Sequence, residues 1–307
     1  MRQRLGAYGA LLVIGAAWGL SAPMIKIATS AGHGPVEILF WQATVASVLL
    51  GAVLGVTGKL TGMPFSLRHL RLYAVVGLFG MALPAWASYS ATRFLPAGVV
   101  SIVISLVPVF ALPMALTLGT ERFEPRRLLG VAAGAAAMAL LIGPEASLPG
   151  PGLWVWVLVA AIAPFCYAVE GAAVYGTRIR DVGPFQMLWA GYVISAVVAF
   201  LLASLQGADL RGTLRLEPSV LAFLLAGVMG IGAYAGYLWL LRRTGSVFGA
   251  QVSYTVTGMG VVWAMLMLGE RYSLWVWGAL ALLFLGLFLV QPRGRIVPPS
   301  GEADVRA

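Results

Sequence analysis

Charge is what this sequence has least of: Lys, Arg, Asp and Glu make up 10% of its 307 residues, against about 25% in an ordinary soluble domain. Cysteine is rarer still. The one present, Cys166, excludes an intrachain disulfide and a Cys-based metal site, and reads as a small packed residue inside an apolar run. The only histidines, His33 and His69, both read as loop residues far apart, without metal-ligand spacing. No Gly-Lys-Ser or Gly-Lys-Thr phosphate loop occurs, so transport driven directly by ATP from this chain is not expected. No catalytic constellation, metal or cofactor is expected, and the chain does not read as an enzyme.

What is abundant is apolar surface, with 60% hydrophobic residues and a mean hydropathy of +0.92. The charges cluster between ten uncharged runs: 5–25, 38–58, 72–92, 94–120, 128–144, 146–169, 182–208, 218–241, 244–269 and 272–292. Crossing a bilayer takes about 20 apolar residues, with roughly 17 as the lower limit, so each run can span, and 128–144 lies nearest that limit. Continuous apolar runs exclude the alternation of barrel strands. The expected fold is an all-α integral membrane protein of ten transmembrane helices. The first run follows Arg2 and Arg4 but is succeeded at once by another span, so it reads as an uncleaved helix rather than a signal peptide.

The net charge of +9 does not point to nucleic acid, because of how it is distributed. With loops alternating between sides, fifteen basic residues fall on the side of Arg2, Lys59, Arg68, Arg126, Arg178, Arg242 and the C-terminal tail. Five, namely Lys26, Arg93, Arg211, Arg215 and Arg271, fall on the other. The positive-inside rule then makes both termini cytoplasmic in a cytoplasmic (inner) membrane protein.

Internal repetition organises the ten spans. Gly34-Pro35 recurs as Gly183-Pro184, Arg93 as Arg242 and Glu121-Arg122 as Glu270-Arg271, all 149 residues apart, and Gly77 and Gly80 recur as Gly227 and Gly230. Matches of charge and proline at one offset indicate duplication. The expected units are a first five-helix repeat over 1–145, a second over 150–292, and a disordered cytoplasmic tail over 293–307. An odd number of spans per unit inserts the copy upside down, and inverted repeats are a transporter plan in which two halves expose one midplane site to either side in turn.

The motifs carry a family likeness. Trp18-Gly19-Leu20-Ser21-Ala22-Pro23 followed by Lys26, Ser105-Leu106-Val107-Pro108, and Leu268-Gly269-Glu270-Arg271 before the tenth span together resemble the EamA family, the ten-helix branch of the drug/metabolite transporter superfamily. The resemblance covers roughly 5–292. It departs from the family where Leu20-Ser21 replaces the usual Ser-Asn, where Gly119-Thr120-Glu121 splits Gly-Glu, and where Thr257 stands for a second Pro108. It implies export of a small organic solute, an amino acid or a related metabolite.

Polar groups inside a bilayer are costly unless they face a cavity or each other. Glu170 ends 24 uncharged residues near the cytoplasmic third of its helix, and offers proton coupling, a counter-charge for an amino group, or an interfacial pair with Arg178 or Arg180. Among aromatics with polar tips, Trp86 with Tyr89 and Tyr234 with Tyr237 are each three apart, on one face of equivalent helices. Trp18, Tyr167, Trp189, Tyr192 and Tyr254 belong to the same set. Such walls suit a solute with apolar or aromatic bulk, and core packing competes for each residue. Ser21, Gln42, Ser88, Ser90, Ser105, Gln186, Gln251, Ser253 and Thr257 complete the midspan polar groups, with Gln251 hardest to satisfy locally. The substrate-binding candidates are Trp18, Ser21, Trp86, Tyr89, Tyr167, Glu170, Tyr234, Tyr237, Gln251 and Tyr254.

The expected partners are a small-molecule solute, the lipid bilayer and protons, with no nucleic acid. Two rivals remain open. A permease for a nucleotide-sugar-like or phosphorylated metabolite would need basic residues in the cavity, and Lys26, Arg93 and Arg242 stand at span ends. A membrane enzyme on lipid-linked substrates would need a polar cluster at one interface, and the loop 119–127 is the one candidate. Glu121-Arg122 and Glu270-Arg271 read either as solvated loop pairs or as latches for two gates.

Overall fold

The computed structural model describes residues 2–290 except 122, 145, 146, 178, 180, 212, 214, 216, 245 and 250. Arg122, Arg178, Arg180 and the tail 293–307 therefore lie outside the described residues. The described chain is helical, without strands, and follows ten principal helices. They are α1 (Gly6–Ser30), α2 (Pro35–Val56), α3 (Leu67–Thr92), α4 (Ala97–Thr117), α5 (Pro125–Ile142), α6 (Trp154–Gly176), α7 (Pro184–Gln206), α8 (Pro218–Thr244), α9 (Val252–Leu268) and α10 (Leu274–Val290). Eight are long and apolar enough to cross a membrane, and α9 and α10, at 17 residues each, meet the lower limit. The shortest spans are thus these two rather than the one drawn from 128–144. The run 244–269 overstated α9 because its start is taken up by a separate helical turn, Ser246–Gly249, before Gln251.

Proline sets where three helices change register. A proline has no N–H for the carbonyl four residues back. Pro23 leaves Gly19 without that donor, and α1 turns at Leu20 before resuming at Ser21. Pro108 does the same to Ile104, where the first part of α4 ends before Val107. Pro84 stands four residues after Gly80, inside a π-helical segment, Val76–Ala82, in the middle of α3. Segments of this kind recur at functional sites.

The duplicated Gly-Pro pairs start α2 and α7 in the same way. Proline takes the first turn, and the third side chain reaches back to the glycine N–H: Gly34 donates to Glu37 at 3.0 Å and Gly183 to Gln186 at 2.7 Å. Gln186, expected in midspan, is therefore a helix cap, and it also donates to the Lys59 carbonyl at 2.6 Å.

Packing between the halves survives their exchange. Helix α1 lies on α9 as α6 lies on α4, α8 on α1 as α3 on α6, and α8 on α2 as α3 on α7, while α2–α7, α5–α10 and α4–α9 map onto themselves. Close approaches use glycine. A methyl on Gly19 would stand 2.8 Å from the Gly260 nitrogen, and one on Gly130 2.8 Å from the Gly286 carbonyl oxygen. Gly55 and Gly232, each four residues from another glycine of its helix, face open space.

Candidate functional site

Two pairs of side chains, 149 residues apart, mark the centre. Trp18 and Ser21 lie one turn apart on α1, and Tyr167 and Glu170 occupy the corresponding places on α6. Glu170 is half-buried, and its carboxylate rests on the α-carbon of Gly80 in the π-helical segment, where a methyl would stand 2.5 Å from Oε1 and 2.9 Å from Oε2. A helical side chain leans toward its own N-terminus. The carboxylate of Glu170 thus reaches the middle of α3 although its α-carbon is six residues from the end of α6.

Aromatic groups close around this carboxylate. The hydroxyls of Tyr167 and Tyr234 lie within electrostatic range of Glu170, and that of Tyr192 within range of Tyr89, Tyr167 and Tyr234. The Trp18 ring meets Tyr234 at 6.4 Å and Tyr237 at 6.1 Å between centroids, and Phe185 meets Tyr234 edge-on at 6.3 Å. Tyr89 donates its hydroxyl proton to Gln42, whose amide donates to the Phe223 carbonyl at 2.5 Å, tying α2 to α3 and α8. Glu170 has no hydrogen bond or ion pair among the described residues, nor does the Ser21 hydroxyl. Chemically, the centre is one uncompensated carboxylate in an aromatic, hydroxyl-bearing surround, able to accept a proton or a cation.

Of the ten candidates, Trp18, Tyr89, Tyr167, Glu170, Tyr234 and Tyr237 come together here. Ser21 sits just past the break in α1. Trp86 does not join its supposed partner Tyr89: it is 38% exposed and makes no ring contact among the described residues. Tyr254 packs on Phe284 at 5.7 Å, within the apolar core of α4, α5, α6, α9 and α10. Gln251 stands at the start of α9, without a side-chain cap bond, instead of in midspan. Ser88 and Thr257 bond to carbonyls of their own helices, and Thr257 also bonds Ser105 across α4–α9. Trp189 donates to the Ser47 carbonyl on α2 at 3.0 Å.

Beyond the centre, one end is clasped. Lys26 donates to the carbonyls of Thr92, Arg93 and Leu95 at 2.8, 3.3 and 3.0 Å, at the C-terminus of α3. Glu270 accepts from the N–H groups of Ala97 and Gly98 at 2.7 and 3.2 Å, at the N-terminus of α4. Each charge sits at the helix terminus whose dipole it complements. Tyr272 donates to Glu270 at 2.5 Å, and burial, then this bond, raises its hydroxyl above the ordinary value. Glu270 is thus a cap for α4 rather than a partner of Arg271. Glu121, its counterpart 149 residues earlier, instead pairs with Arg127 at 2.8 Å. Tyr175, at the place corresponding to Lys26, is 71% exposed. Toward that second end, an open apolar surface groove of about 340 Å³ runs alongside the packed α4 and α6, lined by Val109, Phe110, Pro113, Met114, Thr117 and Phe165.

His69, expected in a loop, lies in the first turns of α3. It bonds Ser66 at 2.7 Å and Asp181 at 3.0 Å, tying α3 to the α6–α7 connection. His33 bonds Ser219 at 3.0 Å, tying the α1–α2 connection to the start of α8. The two ties exchange when the halves exchange, and each fastens the start of one helix to the connection between two others. The Asp181 carboxyl is held below its ordinary value by its own backbone N–H, then by His69.

Comparison with known proteins places these features in a family. The EamA-like transporter family matches twice, over residues 5–143 and 154–291. No curated protein sequence matches. A solved structure described only as "Crystal structure of protein" shares 19% identity, with 92% of this chain and 96% of that chain covered at a TM-score of 0.62. At that identity the likeness is one of fold alone.

Proposed function

Because this chain, a multi-pass membrane protein, belongs to the EamA-like transporter family, we propose that it is a secondary transporter or facilitator exporting a small organic metabolite, an amino acid or related compound. It works by alternating access between two inverted repeats, 1–145 and 150–292, in the cytoplasmic membrane with both termini inside. The observation that carries this reading is the exchange symmetry around one centre. Helix pairings interchange between halves, and Trp18 of the first half and Glu170 of the second both reach Tyr234. Two such halves can swap conformations about a fixed site.

The unequal ends support it further. Lys26 and Glu270 clasp the α3–α4 turn at one end, and their counterparts Tyr175 and Glu121 make no equivalent clasp at the other, as two halves exchanging between unlike conformations would. The phosphorylated-metabolite reading loses its best cation, since Lys26 is committed to three carbonyls.

Uptake and counterflow by purified protein in proteoliposomes test the proposal, using labelled amino acids, their amine derivatives and nucleosides. Saturable uptake of at least one solute, accelerated by unlabelled solute on the far side, is expected. Absence of movement for the whole panel, together with binding of lipid-linked substrates, would overturn it.

A further inference from the structure

We infer that the central site selects an organic amine cation with an aromatic or apolar body and no carboxylate. The inference rests on the transporter reading for the site's purpose, and narrows its solute. Among the described residues, Glu170 is the one charged side chain at the centre, and it has no ion-pair or hydrogen-bonding partner there. Pairing with a cation, as the alternative to taking up a proton, is the interaction it has left to make. An ammonium group fills that role, because it supplies N–H donors to a carboxylate that only accepts.

The surround suits the rest of such a molecule. Trp18, Tyr234 and Tyr237 form a continuous aromatic wall, with the Tyr234 hydroxyl in electrostatic reach of Glu170. A cation at Glu170 lies beside the Tyr167 and Tyr234 hydroxyls, which can accept from it, and the hydrocarbon part meets the aromatic wall.

A free amino acid fits less well. Its carboxylate would need a cation or several N–H groups, and among the described residues those that reach Glu170, namely Gly80, Tyr167 and Tyr234, supply no cation. The Lys26 ammonium holds the end of α3, the Ala97 and Gly98 amides are capped by Glu270, and the Arg243 guanidinium lies over the Trp239 ring at 4.8 Å. The tyrosine hydroxyls remain, but a carboxylate beside them also sits beside the like charge of Glu170. Gly80 completes the selection by letting the carboxylate lie flat against α3.

Three probes with one ring separate the possibilities: 2-phenylethylamine, phenylalanine and 2-phenylethanol. Binding to purified protein is measured by calorimetry, and transport in proteoliposomes. The amine is expected to bind tightest, and Glu170→Gln to weaken it about 10- to 100-fold, the loss of one charge-assisted contact. Binding of the neutral alcohol should be unchanged. Gly80→Ala, which displaces the carboxylate but keeps its charge, should weaken the amine selectively too, and Glu170→Asp should restore part of what Gln loses.

Phenylalanine binding better than the amine, or an equal loss of amine and alcohol in Glu170→Gln, overturns the inference. Phenylalanine transport without amine transport would do so while leaving the transporter reading intact. Selective amine binding without transport of any probe would sustain the inference and remove the transporter reading.

Discussion

Replacing Glu270 by Ala tests the clasp at the first end. The side chain holds the Ala97 and Gly98 amides and accepts the Tyr272 hydroxyl proton, and these contacts exist only while α9 and α10 stay docked on the α3–α4 turn. Once the end opens, water satisfies the same groups. Three donors left unpaired in the closed form, each costing about 1 kcal/mol at the low end of the range for partly buried groups, sum to about 3 kcal/mol. That corresponds to roughly a hundred-fold shift toward the open form. A cysteine at Ser101, buried on α4 beneath the clasp, reports it in a Cys166→Ala background. Its maleimide labelling rate should rise by a factor approaching that shift, provided opening and closing are fast relative to labelling. Glu121→Ala, the counterpart change at the second end, should leave the rate unchanged. An unaltered rate in Glu270→Ala, or equal acceleration by both variants, would refute the reasoning.

Other outcomes follow from the packing. Gly130→Ala drives a methyl to 2.8 Å from the Gly286 carbonyl and should lower stability by about 1–3 kcal/mol in detergent melts; Gly55→Ala, with nothing within 4 Å, is the control that should not. Tyr237→Ala should weaken solute binding about ten-fold by removing the ring that meets Trp18, whereas Trp86→Ala should not change it, and the reverse order would return Trp86 to the site. The Asp181 carboxyl is depressed in the folded state, so its contribution is fully present above its ordinary value of 3.8 and is lost as pH falls below it. Asp181→Asn should flatten the melting temperature against pH in that acid range, and an unchanged slope would place the effect elsewhere.

The spans and the duplication were legible because they rest on local composition and on rare residues at one offset. The Gly-Pro pairs even carried their own reason, since Glu37 and Gln186 three places on are the cap. Reading Gln186 as a midspan polar group overlooked that short-range signal. The central cluster was legible in part. Trp18 with Tyr167 and Ser21 with Glu170 stand 149 residues apart, but that offset was applied to glycine, proline and charge and not to these positions. Helical spacing put Trp86 beside Tyr89 without saying which way the face points, and the π-helical segment before Pro84 alters that face.

The clasp was out of reach. Lys26 meets carbonyls 66 to 69 residues away, and Glu270 meets amides 172 and 173 residues away, so no local pattern announces either. Tyr192 lay in the aromatic set but not among the candidates, because its role depends on three neighbours from other helices and from no nearby sequence.

Alternating access is the central claim, and two reporters read in one experiment address it most directly. Single cysteines at Ser101, under the clasp, and at Thr117, in the α4–α6 groove, are labelled from opposite sides of the membrane in reconstituted protein, in the Cys166→Ala background, with and without Glu270→Ala. Reciprocal changes are expected: faster labelling at 101 and slower labelling at 117 when the clasp is removed. Labelling that rises at both positions together would mean a loosened bundle rather than two exchanging halves, and would contradict alternating access.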